Sequence, residues 1–201
     1  CTSATSEIMR ISLLDSAHLQ ESDAEHKRRR HEREGRKGPH PELPLYTVED
    51  AKACLPQLTT VRQKQPQQLS GNVTATFYDA GHILGSSMIA VDVPVNGANR
   101  RIIFSGDIGR WDRPILKDPT VFDQADYILV ESTYGNRTHG SVEDIKGELE
   151  RVIRLTVEAG GNLVVPSFAI ERAQELLYYM KELLAEDRIP HILVFLDSPM
   201  A

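Results

Sequence analysis

Cysteine is scarce in this chain: Cys1 and Cys54 are the only two among 201 residues, and no CxxC pair occurs. That excludes a disulfide-stapled scaffold and a cysteine-rich zinc module, and it points to a reducing compartment. Long apolar runs are missing too. None approaches the ~20 residues that a membrane helix requires, and no secretory signal is present, so the expectation is a cytoplasmic protein with no membrane contact. There is no internal repeat. Neither a GxGxxG loop nor a P-loop lysine accompanies the α/β part, which argues against a dinucleotide or ATP site. Positive charge is also in deficit, with a formal net charge of −6. General electrostatic attraction for nucleic acid is therefore absent, and a polyanionic substrate would have to be held by a local patch or by metal ions.

What remains is an ordinary globular composition, 40% hydrophobic and 26% charged, enough to bury a core. The opening Cys and the closing Asp197-Ser-Pro-Met-Ala201 suggest a piece of a longer protein. The densest basic run, Lys27 to Lys37, is interleaved with Glu25, Glu32 and Glu34, as on a solvated helix with cross-turn ion pairs.

Three patterns succeed one another along the chain. Residues 6–34 lack Gly and Pro and place Ile8, Ile11, Leu14 and Leu19 near helical spacing, predicting a long helix that ends in the Gly35–Pro44 loop. Thr47 and Asp50 form a helix-start signal. From Val73, short apolar runs at 73–78, 88–91, 101–104 and 125–130 predict consecutive strands, with Asn96-Gly97 as a hairpin turn. Beyond Gly135 the pattern becomes helix 142–158, strand 162–165, helix 170–186 and strand 191–196, the rhythm of a parallel α/β unit. Two architectures thus meet near residues 131–135.

Polar residues that follow buried strands are the candidates for chemistry. His82 stands between Gly81 and Gly85, where backbone can approach a ligand, and imidazole is a common zinc ligand. Asp107, in Ser-Gly-Asp-Ile-Gly, can offer two carboxylate oxygens to two cations. Glu131 is the first polar residue after the 125–130 run. Each alone also fits a hydrogen-bonded turn residue or a strand-end carboxylate. Ser167 and Arg172 lie at a strand-to-helix turn, where a helix N-terminus favours phosphate. His139 fits a surface position before a helix.

Taken in order, Asp79-Ala-Gly-His-Ile-Leu-Gly-Ser86, Ser105-Gly-Asp-Ile-Gly109, Glu131-Ser-Thr-Tyr-Gly135, Pro166-Ser-Phe-Ala-Ile-Glu-Arg-Ala-Gln-Glu-Leu-Leu177 and Asp197-Ser-Pro-Met-Ala201 resemble the β-CASP branch of the metallo-β-lactamase superfamily. Leu13-Leu-Asp-Ser-Ala17 and Pro44-Leu-Tyr-Thr47 resemble its prokaryotic exonuclease-like members. The resemblance implies a fold of class α/β: a partial metallo-β-lactamase αββα sandwich over 1–134, then the start of a Rossmann-like parallel β-CASP domain over 135–201. It implies a zinc-dependent hydrolase of RNA phosphodiester bonds, acting as an exo- or endonuclease in RNA processing, with single-stranded DNA as an alternative substrate and a homodimer left open.

By the same resemblance, His82 would bind one of two Zn²⁺ ions, Asp107 would bridge both, and Glu131 would support active-site histidine chemistry without binding metal. The family's His-x-His-x-Asp-His loop does not occur in this sequence, and in the family it precedes the matched segment. The isolated chain is therefore expected to bind metal poorly and to be inactive. A metallo-β-lactamase-fold hydrolase of a small ester or thioester and a non-catalytic RNA-processing scaffold are the alternatives.

Overall fold

In the computed structural model, residues 1–138 and 142–200 are described. The chain forms two compact units, residues 1–61 and 62–199.

In the first unit, α1 (Ser3–Glu34) runs for 32 residues. Thr2 caps it by accepting from the Thr5 amide, and Gly35 closes it in the left-handed region that glycine adopts without strain. Its buried positions are small, Ser6, Ala17 and Ala24. Polar groups on α1 fix the returning chain: Gln20 accepts from the Leu45 amide at 2.9 Å and Glu21 from the Val48 amide at 3.1 Å. There α2 (Val48–Cys54) begins with the expected reciprocal cap between Thr47 and Asp50. The basic run is a solvated helix face, with Arg29 paired to Glu25 and His31 to Glu42.

The second unit is built on a five-stranded mixed sheet in the order β1 (Gln67–Gln68), β2 (Thr74–Asp79), β3 (Ser87–Val95), β4 (Ala98–Phe104), β5 (Tyr127–Leu129). The first four strands are antiparallel, and β5 joins β4 in parallel. Asn96 and Gly97 turn the β3–β4 hairpin with positive φ at both positions, the two-residue geometry that matches strand twist. Ala75, Met88, Ala90 and Ile103 are buried along the sheet. Two helices follow, α3 (Val142–Glu158) and α4 (Arg172–Ala185). They pack around Ile153, Leu183 and Ile189, and Lys146 bridges them by donating to Glu182 and Glu186.

One expectation is not met. Residues 162–165 and 191–196 carry no regular secondary structure and belong to no ladder among the described residues. Apart from Ile192, which packs against the Ile153 cluster, their apolar side chains are exposed, Val164 at 82% and Phe195 at 85%. A parallel strand needs neighbours for its slanted hydrogen bonds and cover on both faces for its side chains, and neither run has them among these residues. The chain is thus mixed α/β with a mixed sheet, compatible with a partial metallo-β-lactamase and β-CASP fold.

Candidate metal site at the strand ends

Three loops leave the same end of the sheet and meet. The loop after β2 carries His82. Ser86 folds it back, its hydroxyl accepting from the amides of His82 (3.1 Å) and Ile83 (3.2 Å). The loop after β4 carries Asp107, and the chain leaving β5 carries Glu131.

The first two loops are joined through backbone. The Gly109 amide donates to the Ala80 carbonyl at 2.8 Å. A Cβ on Gly109 would fall 1.6 Å from the Gly81 oxygen, so only glycine permits this approach. Gly81 itself has φ of +66°, and a Cβ there would meet the Lys117 carbonyl at 2.8 Å. This joint brings His82 Nε2 within 3.9 Å of Asp107 Oδ2. Both side chains remain open to solvent, His82 at 45% and Asp107 at 72% exposure.

Glu131 supports the Asp107 loop. Its Oε1 accepts from the Ile108 amide at 2.7 Å, and its own amide donates to Ser105 Oγ at 3.1 Å. The Ile108 amide, followed by the Thr133 hydroxyl and the nearby His82, holds its carboxyl below the usual range against a smaller opposing effect of burial. Glu131 is therefore an ionised group that holds the backbone of the neighbour of Asp107.

The remaining candidates are placed differently. Ser167 lies exposed in the irregular segment before α4. Arg172 opens α4, and its Nη1 donates to Glu175 Oε2 at 2.8 Å, so its guanidinium is already engaged by an acid. His139 lies outside the described residues. Sequence reasoning missed a second group. Arg113, six residues past Asp107, forms an ion pair with Glu175 on α4, and both side chains are more than nine-tenths buried. The signal was available: Glu175 shares the four-residue spacing of Tyr179 and Leu183, the buried face of the helix.

His82 and Asp107 offer one imidazole nitrogen and carboxylate oxygens, a donor set suited to a borderline metal ion such as zinc. Zinc sites use three or four protein ligands. Among the described residues no cluster of three His, Cys, Asp or Glu side chains able to hold a metal occurs. The pair fits as part of a metal site and not as a whole one.

No family model matches the chain. Individual relatives do. The chain is 34% identical to a ribonuclease of Thermus thermophilus over 158 residues, 79% of this chain and 35% of that protein. It is 30% identical over 160 residues to an RNase J-like protein of Methanocaldococcus jannaschii, covering 77% of this chain and 37% of that one. The cleavage and polyadenylation specificity factor 73 of Drosophila melanogaster is 30% identical over 159 residues, 78% of this chain and 22% of its own length. The chain spans about a third of the first two relatives and about a fifth of the third. With these relatives and with the strand-end blocks that carry His82, Asp107 and Glu131, the chain belongs to the β-CASP branch of the metallo-β-lactamase superfamily.

Proposed function

We propose that the full-length protein is a metal-dependent hydrolase that cleaves RNA phosphodiester bonds. Nucleases of this family are metal-dependent, and the observation that carries the reading is the 3.9 Å separation of His82 Nε2 and Asp107 Oδ2 in a chain so similar to a ribonuclease. His82 and Asp107 would hold part of a two-zinc centre, and further ligands from the full-length protein would complete it. When bound, the metal pair supplies an acidified water and positive charge for the phosphoryl oxygens.

The chain's own residues do the rest by position. Glu131 accepts from the Ile108 amide and so sets the Asp107 loop, and its carboxylate is held ionised chiefly by that hydrogen bond. Residues 1–134 would form the metallo-β-lactamase portion and residues 135–201 the beginning of the β-CASP domain. Ser167 and Arg172 remain candidates for phosphate contact, in Arg172 only after exchange of Glu175 for the substrate. Localisation in the cytoplasm accords with an RNA substrate, and no helix among the described residues is long and apolar enough to cross a membrane.

The test is cleavage of labelled RNA and of labelled single-stranded DNA by the full-length protein, before and after metal removal by chelation and again after zinc is restored. RNA cleavage that chelation abolishes and zinc restores supports the proposal. Cleavage that survives complete metal removal defeats it, and cleavage of DNA alone changes the substrate.

A further inference from the structure

The ion pair between Arg113 and Glu175 has a companion one helical turn away. Burial pushes the Glu171 carboxyl above its ordinary range, and the amide of Leu84, two residues past His82, opposes that shift by donating a hydrogen bond to it. Helix α4 therefore reaches both loops at once: Glu171 contacts the His82 loop, and Glu175 contacts the Asp107 loop through Arg113. The two acids are four residues apart, Glu171 at the N-cap of α4 and Glu175 in its first turn, where the Glu175 amide donates to the Glu171 carbonyl at 2.9 Å.

The arrangement is costly. Arg113 and Glu175 have lost solvent, and a buried ion pair is often no more stabilising than apolar side chains of the same volume. Around them Arg113 Nη1, Glu171 Oε2, Gln174 Oε1 and Tyr179 OH are buried without hydrogen-bond partners. Such orphaned groups carry a desolvation penalty. The backbone at Glu171 is also unusual, with φ of 70° and ψ of −53°. The Arg172 amide donates to the Ile170 carbonyl at 2.9 Å, which makes this a γ-turn of the rare, strained hand. A helix start held this way aims the Glu171 side chain at Leu84 instead of continuing the irregular segment smoothly. A fold selected for stability alone could use leucine and methionine at these places. Polar groups with fixed directions do what apolar ones cannot: they set the register of two loops against one rigid element.

We propose that the first turns of α4 are a brace for the metal-binding loops, with Glu171 a positioning residue for the His82 loop and the Arg113–Glu175 pair a positioning device for the Asp107 loop. The Gly81–Gly109 joint fixes the loops to each other, and α4 fixes both to the helical layer, so the imidazole-to-carboxylate spacing is defined from two sides. The consequence for catalysis rests on the function proposed above, whereas the brace itself does not.

Hydrogen exchange in the full-length, metal-free protein tests the brace without reference to activity. Glu171→Ala should accelerate exchange of the 82–86 amides about tenfold or more, as for a locally released loop. Glu171→Gln keeps an acceptor for the Leu84 amide and should restore most of the protection, and Lys181→Ala, exposed on the same helix, should leave it unchanged. The joint substitution Arg113→Met with Glu175→Leu replaces the pair by apolar side chains without leaving one charge buried, and should accelerate exchange over residues 106–112.

In the metal-loaded protein, Glu171→Ala and the joint variant should lose metal about 10- to 100-fold more readily and lower kcat with little change in KM. Unchanged exchange of both loops in variants that retain a wild-type circular dichroism spectrum would overturn the brace. So would equal loss of protection in Glu171→Gln and Glu171→Ala. Wild-type protein that cleaves no RNA would defeat the functional reading while the exchange data still decided the brace.

Discussion

A side chain on Gly109 would overlap the carbonyl group of Gly81, with its Cβ 1.6 Å from the oxygen. Two loops that leave different strands are thereby pressed together at backbone distance, and their passengers His82 and Asp107 meet as a result. The candidate site owes its geometry to this contact before any side-chain chemistry is considered.

Gly109→Ala should therefore push the two loops apart. The expected cost is about 2–3 kcal/mol of stability, from overpacking that backbone cannot relieve, together with loss of metal retention in the full-length protein. Gly147→Ala is the matching control. It lies within α3 with open space around the new methyl, and should stabilise by about 0.5–1 kcal/mol. Denaturant unfolding of both variants checks the pair, and equal effects would contradict the close-approach argument.

Glu131→Gln should lower turnover of the full-length protein less than Asp107→Ala does. The glutamine oxygen can still accept from the Ile108 amide, so the Asp107 loop keeps its anchor while the negative charge beside His82 is lost. Single-turnover rates for the two variants measure the ranking. The opposite order would make Glu131 the metal ligand.

Ile153→Ala removes a side chain that is almost fully enclosed by Leu183 and Ile189. The expected loss is about 3 kcal/mol, the transfer and cavity cost of a buried isoleucine. Urea denaturation, with unchanged dependence on denaturant, is the measurement.

Acid should weaken the sheet through Asp126. Its carboxylate accepts from the Arg101 amide at 2.8 Å and pairs with the Arg100 guanidinium, and those two partners, in that order, hold its pKa below the ordinary value. A lowered folded pKa contributes stability at neutral pH that is retained above the unfolded value and lost as pH falls through the folded one. Melting temperatures between pH 7 and pH 3 should fall less steeply below about pH 4 in Asp126→Asn than in the natural chain. Because the pair is exposed, added salt should shrink the difference.

Much of this was legible in the residues. The Thr47–Asp50 cap, the Asn96-Gly97 hairpin and the limits of α3 follow from local chemistry, and they stand in the structure where the sequence places them. Among the described residues no ladder forms at 162–165 or 191–196, because periodicity reports which side chains could be buried and not whether a neighbouring strand exists. His82, Asp107 and Glu131 were each visible as polar residues after an apolar run. Their meeting was implied by the resemblance and not by the runs themselves, since it depends on a contact between Gly81 and Gly109 that spans 28 residues. The α4 brace was hidden for a related reason: Glu171 and Glu175 look like surface acids on a helix until their partners, Leu84 and Arg113, are brought from distant loops.

The most direct measurement is metal content and RNA cleavage of the full-length protein with and without Asp107→Ala, at matched folding stability. The expected result is loss of bound metal and of cleavage together, with the melting temperature little changed, since Asp107 is largely exposed. Near-natural cleavage and metal content in the alanine variant would contradict the assignment of these strand-end loops as a metal-dependent catalytic site.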